Sequence, residues 1–152
     1  MNIFESLLNF IFPPHCPKCD RYMKLRGDWC TECLAEVLHP HQLRLDSVTD
    51  SLYSGGIWAL GAYKTVLRDL LKALKYHKRR SVLPGLHHYI RAGLEQIDFS
   101  CLQEAVVVPV PLHKERMKKR GFNQVELLFR EPMAQRGIPM VLALKRQRNT
   151  AP

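Results

Sequence analysis

Cys16-Pro17-Lys18-Cys19-Asp20-Arg21-Tyr22-Met23-Lys24-Leu25-Arg26-Gly27-Asp28-Trp29-Cys30-Thr31-Glu32-Cys33 holds two CxxC pairs separated by ten residues. A CxxC turn aims two thiolates at one centre, and two such turns complete a tetrahedral sulfur cage of the kind zinc prefers. The spacing therefore predicts one structural zinc ion held by Cys16, Cys19, Cys30 and Cys33. With all four positions filled by protein, no coordination site is left for chemistry, and the module should staple structure or dock a partner. A redox dithiol, a disulfide pair and an iron–sulfur cluster remain open, although the first two do not need two evenly built knuckles. Pro17 and Lys18 read as knuckle residues and Lys24 to Asp28 as a hairpin. His39 and His41 follow closely and read as solvated loop histidines, with a second metal site the alternative; the solitary Cys101 reads as a semi-buried thiol.

The rest of the chain sets the context. It has 152 residues, 46% hydrophobic and 24% charged, the balance of a globular protein. Its net charge of +9 favours anionic partners such as nucleic acid, phosphorylated metabolites or an acidic membrane surface. No apolar run reaches the roughly 18 residues that a membrane span requires. The opening MNIFESLLNFIFPP lacks a basic n-region and a cleavage site, and reads as a short amphipathic helix ended by Pro13-Pro14. A cytoplasmic location is expected, where paired cysteines more often hold metal than form disulfides.

Residues 42–55 are polar and turn-rich, as a linker would be, and GIWALGAY (56–63) reads as a strand. Residues 64–80 read as a helix. At about 100° per residue, Val66, Leu67, Leu70, Leu71 and Leu74 share one arc, and Lys64, Arg68, Lys72, Lys75 and Arg79 form a basic stripe beside it. Lys75 and Tyr76 border the apolar arc. A second helix is predicted over 82–97, with Pro84 in its first turn and Leu83, Leu86, Ile90, Leu94 and Ile97 on one face. Ala105 to Val108 is a continuous apolar run that fits a strand buried on both faces of a parallel sheet. A further helix is expected from Gln124 to about Arg136, broken or kinked at Pro132. Strand, helix, helix, strand is an α/β pattern. In open α/β sheets, ligands sit beyond the carboxyl ends of strands. The loop after Val108 lies at such an end and carries His113, Lys114, Arg116, Lys118, Lys119 and Arg120, which suit phosphate or pyrophosphate.

The stretch VVVPVPLHKERMKKRGFNQVELL (106–128) closely resembles the signature of the ComF/GntX-like family, the relatives of competence protein F. CPKC and CTEC, LRDLLKALKY and LKRQRNT agree with it in order, so the resemblance covers essentially the whole chain. It implies an α/β fold: a small N-terminal four-cysteine, zinc-ribbon-like module, then a type I phosphoribosyltransferase-like domain. It also implies that Pro111, Leu112, His113 and Arg116 form a loop for the pyrophosphate of phosphoribosyl pyrophosphate. Arg120, Gly121, Phe122, Asn123 and Gln124 would brace that loop and open the next helix, with helix-start scaffolding as the plainer role. Arg146, Arg148 and Thr150 match the start of the family's mobile segment. The family's paired acidic residues and Thr-Thr-Gly turn, which hold ribose and 5′-phosphate, match nothing here. Nor is there the third cysteine pair of some relatives, whose place is taken by His39 to Ser54.

The expectations are therefore specific. Residues 1–42 form the helix and zinc module, 43–55 a linker, and 56–152 the N-terminal part of an incomplete, truncated phosphoribosyltransferase-like domain, with no catalytic residue assigned. Structural Zn2+ is the cofactor, joined by Mg2+ with phosphoribosyl pyrophosphate only were the domain complete. The function implied is that of a ComF-like protein of DNA uptake, competence or DNA utilisation, catalytically incomplete as this chain. The expected partners are phosphoribosyl pyrophosphate-like phosphates, bound weakly, and single-stranded DNA or other competence and DNA-processing proteins. The alternative function is a zinc-dependent nucleic-acid-binding or partner-docking module. Residues 64–80 carry seven Lys/Arg against one Asp, net +6, and residues 113–148 carry ten against three Glu, net +7. Tyr76 and Phe122 are candidate stacking residues, while Phe129 is spaced as core.

Overall fold

The computed structural model describes residues 9–43, 56–99 and 104–148. Most of the linker, Cys101 and Thr150 lie outside the described residues. Of the predicted N-terminal helix, residues 9–11 are described and helical, with Phe10 and Ile11 exposed.

Three backbone hydrogen bonds shape the first knuckle. Met23 N–H donates to the Pro14 carbonyl (2.8 Å), Cys16 N–H to Arg21 (2.8 Å) and Asp20 N–H to Cys16 (3.1 Å), with Asp20 in the left-handed region at φ +62°. The second pair is not a loop turn. Cys30 caps α1 (Thr31–Val37), so Cys33 sits in the helix's first turn. Beyond α1, β1 (His41–Leu43) pairs antiparallel with β2 (Ile57–Ala59) in the register His41 to Ala59, Gln42 to Trp58 and Leu43 to Ile57. The start of the expected linker is thus a strand, and the expected strand at 56–63 shortens to three residues.

Two helices follow as the periodicity predicts. α2 (Thr65–His77) buries Leu67 and Leu74 and half-buries Val66, Leu70 and Leu71. It ends where Lys78 turns left-handed (φ +51°), and Arg79 N–H reaches back to the Ala73 carbonyl at 3.1 Å. Tyr76, expected at the border of the apolar arc, is 66% exposed. A short 3₁₀ turn (Arg80–Val82) leads into α3 (Leu83–Leu94). There Leu86, Ile90 and Leu94 are buried as expected, and so are Tyr89, Gly85 and Gly93. α4 (Lys114–Arg120) and α5 (Gln124–Ala134) complete the order. Pro132 lies within α5 and is fully buried, and the helix ends two residues later.

One hydrophobic cluster runs through both halves of the chain, from Cys16, Trp29, Cys30 and Cys33 through Leu74, Leu86, Tyr89 and Ile90 to Phe122 and Leu128. Its seam lies along α3. The Trp29 indole N–H donates to the Gly85 carbonyl at 2.8 Å, and its ring centroid lies 6.2 Å from that of Tyr89. The Tyr89 hydroxyl donates to the Val37 carbonyl at 3.4 Å, and His88 meets Asp28 at 3.0 Å. Gly27, at φ +92°, packs so closely on Pro84 that any Cβ there would overlap the proline.

The architecture is thus mixed helix with a small sheet. The run Ala105–Val108 is not a doubly buried strand: Val106 is 50% and Val108 38% exposed. Its ladder consists of one parallel bridge, with Val107 N–H donating to Pro139 (2.8 Å) and Val141 N–H to Val107 (2.9 Å). A strand is covered on both faces only when ladder neighbours and helices flank it on each side. Among the described residues Val107 has the Met140 segment alone. Phe122, read as a base-stacking candidate, is instead 8% exposed in the core, with the Arg80 guanidinium 5.6 Å from its ring centre.

Candidate metal centre and basic cleft

The four cysteine sulfurs lie within 4.8 Å of one another, with Cys16, Cys30 and Cys33 buried and Cys19 at the surface. Cys19 Sγ and Cys30 Sγ are 3.7 Å apart. Zinc–thiolate bonds of about 2.3 Å at tetrahedral angles place sulfurs about 3.8 Å apart, so the cage fits this metal. Burial opposes ionisation of Cys16, but the backbone N–H groups of Cys19, Cys30 and Lys18 converge on its sulfur and bring its pKa down to about 6. Burial pushes Cys33 up to about 12, with the thiols of Cys30, Cys19 and Cys16 adding to the effect. Four crowded thiolates repel one another, and a bound dication reverses that. The four cysteines are therefore arranged to bind a structural zinc. Two ion pairs brace the cage from outside: Lys18 with Glu36, and Arg21 with Glu32 at 2.9 Å. Glu32 is held down at about 2, first by a backbone N–H and then by the Arg21 guanidinium.

Residues 7–43 match the double zinc ribbon domain. The match covers the four cysteines and both knuckles. Among the described residues they form the one group of clustered metal ligands, so this part of the ribbon carries a single four-cysteine site. His39 and His41 do not converge on a centre. His39 Nε2 lies 2.9 Å from the Glu36 carbonyl and His41 Nδ1 2.7 Å from the His39 carbonyl. No curated protein and no solved structure matches the chain. No helix among the described residues is long and apolar enough to cross a membrane.

The residues singled out after Val108 fall into two groups. Pro111, Leu112, Arg116, Arg120 and Gln124 line one cavity of about 210 Å³. Lys75, Tyr76, Val110, Val125 and Arg146 complete its wall. An adjoining hollow shares Lys75, Tyr76, Arg116 and Arg120 and adds Lys78 and Lys119. Among the described residues, no carboxylate lines either one. Arg120 also bonds the Gln124 side chain, which fixes its guanidinium across the turn between α4 and α5.

His113, Gly121 and Asn123 hold the scaffold. His113 caps α4, its Nδ1 accepting from Glu115 N–H at 3.4 Å. Gly121 ends that helix at φ +85°, a conformation open to glycine at no steric cost. Asn123 is 4% exposed and works twice. Its Oδ1 accepts from Val125 N–H (3.0 Å) to cap α5, and its Nδ2 donates to the Val110 carbonyl (3.0 Å). That second bond ties the Pro111 loop to the helix behind it.

Sequence reading alone did not bring Lys75 and Tyr76 to this loop. Its one signal was the basic stripe of residues 64–80, and that stripe does not act as a unit. Lys75 faces the cleft, Arg68 pairs with Asp69 (3.2 Å), and Arg79 lies elsewhere, lining a hollow with Pro17 and Lys18. Arg146 was singled out separately, from the far end of the chain, and reaches the same cavity as Lys75.

Proposed function

We propose that this chain is a zinc-stapled, ComF-like protein whose basic cleft binds phosphate or diphosphate groups, in the manner of the phosphoribosyltransferase-like domain that its sequence resembles. The observation that carries the reading is the convergence of Pro111, Leu112, Arg116, Arg120 and Gln124 with Lys75 and Arg146 on one wall, free of carboxylates among the described residues. Guanidinium forks match phosphate oxygens two at a time, and an ammonium adds a compact positive charge. The zinc module meets α3 through Trp29 and Asp28, and α5, which carries Gln124, packs against the same helix. No transfer step is assigned to the residues described. A role in DNA uptake or utilisation follows from the resemblance.

Calorimetric titration with phosphoribosyl pyrophosphate and magnesium, and with inorganic pyrophosphate, tests this reading. The expected result is weak binding that Arg116→Ala lowers at least tenfold. Absence of heat with both titrants at low salt would remove the phosphate site.

A second reading is favoured by Tyr76. Its ring is exposed on the rim of the cleft between Lys75, Lys78 and Lys119, where a base could stack while phosphates follow the cations. Binding of single-stranded DNA would then fall steeply as salt rises. Loss through Tyr76→Ala at constant salt would distinguish stacking from charge alone.

A further inference from the structure

The basic cavity has an apolar neighbour one helical turn away, and α2 and α5 each line both, in opposite orders. On α2, Leu67 and Leu71 line an apolar cavity of about 270 Å³, and Lys75, one turn further on, lines the basic one. On α5 the order reverses: Gln124 and Val125 line the basic end, and Leu128 and Phe129, one turn later, the apolar end. Residues four apart share a helix face, so each helix presents one face to both cavities, with Lys75 of α2 the cation among these residues. Leu86, Tyr89 and Ile90 of α3 floor the apolar end. Tyr63 lines the apolar cavity, and Lys75, which lines the basic one, has its Nζ 5.9 Å from the Tyr63 ring centre.

We propose that the two cavities act as one groove that binds a soluble amphiphilic phosphate: a phosphate or diphosphate head at Arg116, Arg120 and Lys75, carrying a short alkyl or isoprenoid body along Leu67, Leu71 and Phe129. Pyrophosphate alone would leave the apolar half wet. An apolar body attached to it would remove Leu71, Trp58 and Phe129 surface from water, and apolar burial is the general source of such affinity. The dimensions agree. Leu67 to Lys75 spans eight residues of helix, about 12 Å, the reach of a short chain and not of a full lipid tail. The charge also agrees, because the head end is cationic and, among the described residues, has no carboxylate to repel the ligand. This inference rests on the phosphate-binding reading and narrows its ligand.

The test compares geranyl diphosphate, below its micelle concentration, with inorganic pyrophosphate on the full chain loaded with zinc. Geranyl diphosphate is expected to bind at least tenfold more tightly. It should also shift the emission of Trp58, which lines the apolar end and is 42% exposed, to shorter wavelength. Trp29, buried at the zinc module, serves as the internal reference, and a Trp58→Phe variant should lose the shift. Equal affinity for the two ligands, with no emission change, overturns the proposal and leaves the phosphate site standing. No binding of either ligand removes both. Binding confined to vesicles containing phosphatidic acid, with none to soluble geranyl diphosphate, also overturns it, because the ligand would then be a bilayer surface.

Discussion

The two cysteine knuckles and the valine run at 105–110 carry equally plain sequence signals, yet the chain treats them differently. The knuckles gather all four ligands from one short segment, although their cysteines also join the common core. Their four sulfurs meet over 18 residues, their backbone donors are satisfied locally, and their outer ion pairs come from α1 and the first turn. The valine run has one bridge and leaves Val106, Val108 and Val110 at the surface. Metal ligation rewards short-range geometry, whereas a parallel strand is stabilised by neighbours distant in sequence. That difference separates what one segment can settle alone from what it cannot.

The largest expected effect comes from removing the metal. Chelation, or Cys30→Ser, should cost on the order of 10 kcal/mol at the module. Because Trp29 bonds Gly85 and packs on Tyr89, helical signal from α3 should fall together with zinc loss, rather than the module melting alone. Far-ultraviolet dichroism recorded against metal content checks this. Retention of α3 helicity in the apo protein would show that the two regions fold independently.

Next in size is Leu74→Ala, at the fully buried centre of α2, with an expected loss of about 2–5 kcal/mol in urea unfolding. It should lower the affinity of the module for zinc as well, if one core serves both regions.

Alkaline pH probes the same seam. Burial raises the Tyr89 phenol to about 12, against an ordinary value of about 10. Between those values the unfolded state has already lost the proton that the folded state keeps, so stability should fall as pH rises through 10 towards 12. Tyr89→Phe should flatten that slope at little cost near neutrality, since the hydroxyl's bond to Val37 is long. An unchanged slope in the variant would place the alkaline transition elsewhere.

Asn123→Ala should cost about 1 kcal/mol through the lost cap, and should loosen the Pro111 loop by releasing Val110. Pyrophosphate affinity falling by more than the stability change would mark the asparagine as a positioning residue. The smallest effect belongs to the valine run. Val106→Thr should change stability by less than about 0.5 kcal/mol, because the side chain is exposed, and should lower any tendency to associate along the open strand edge. A loss of several kcal/mol would mean that the run is covered after all.

Local spacing was enough to name the zinc ligands, both long helices and most of the helix-facing core, because these depend on intervals of three, four and seven residues. Only the family resemblance grouped Gln124 with Arg116 and Arg120. The remaining features came from the folded chain. Folding placed Lys75 and Arg146 opposite the Pro111 loop and buried Phe122 while leaving Tyr76 in solvent. It also paired His41–Leu43 with Ile57–Ala59 across the stretch that composition alone marks as linker. Each of these depends on contacts between segments far apart in the chain. Periodicity reports which face of an element is apolar, but not which neighbour meets it.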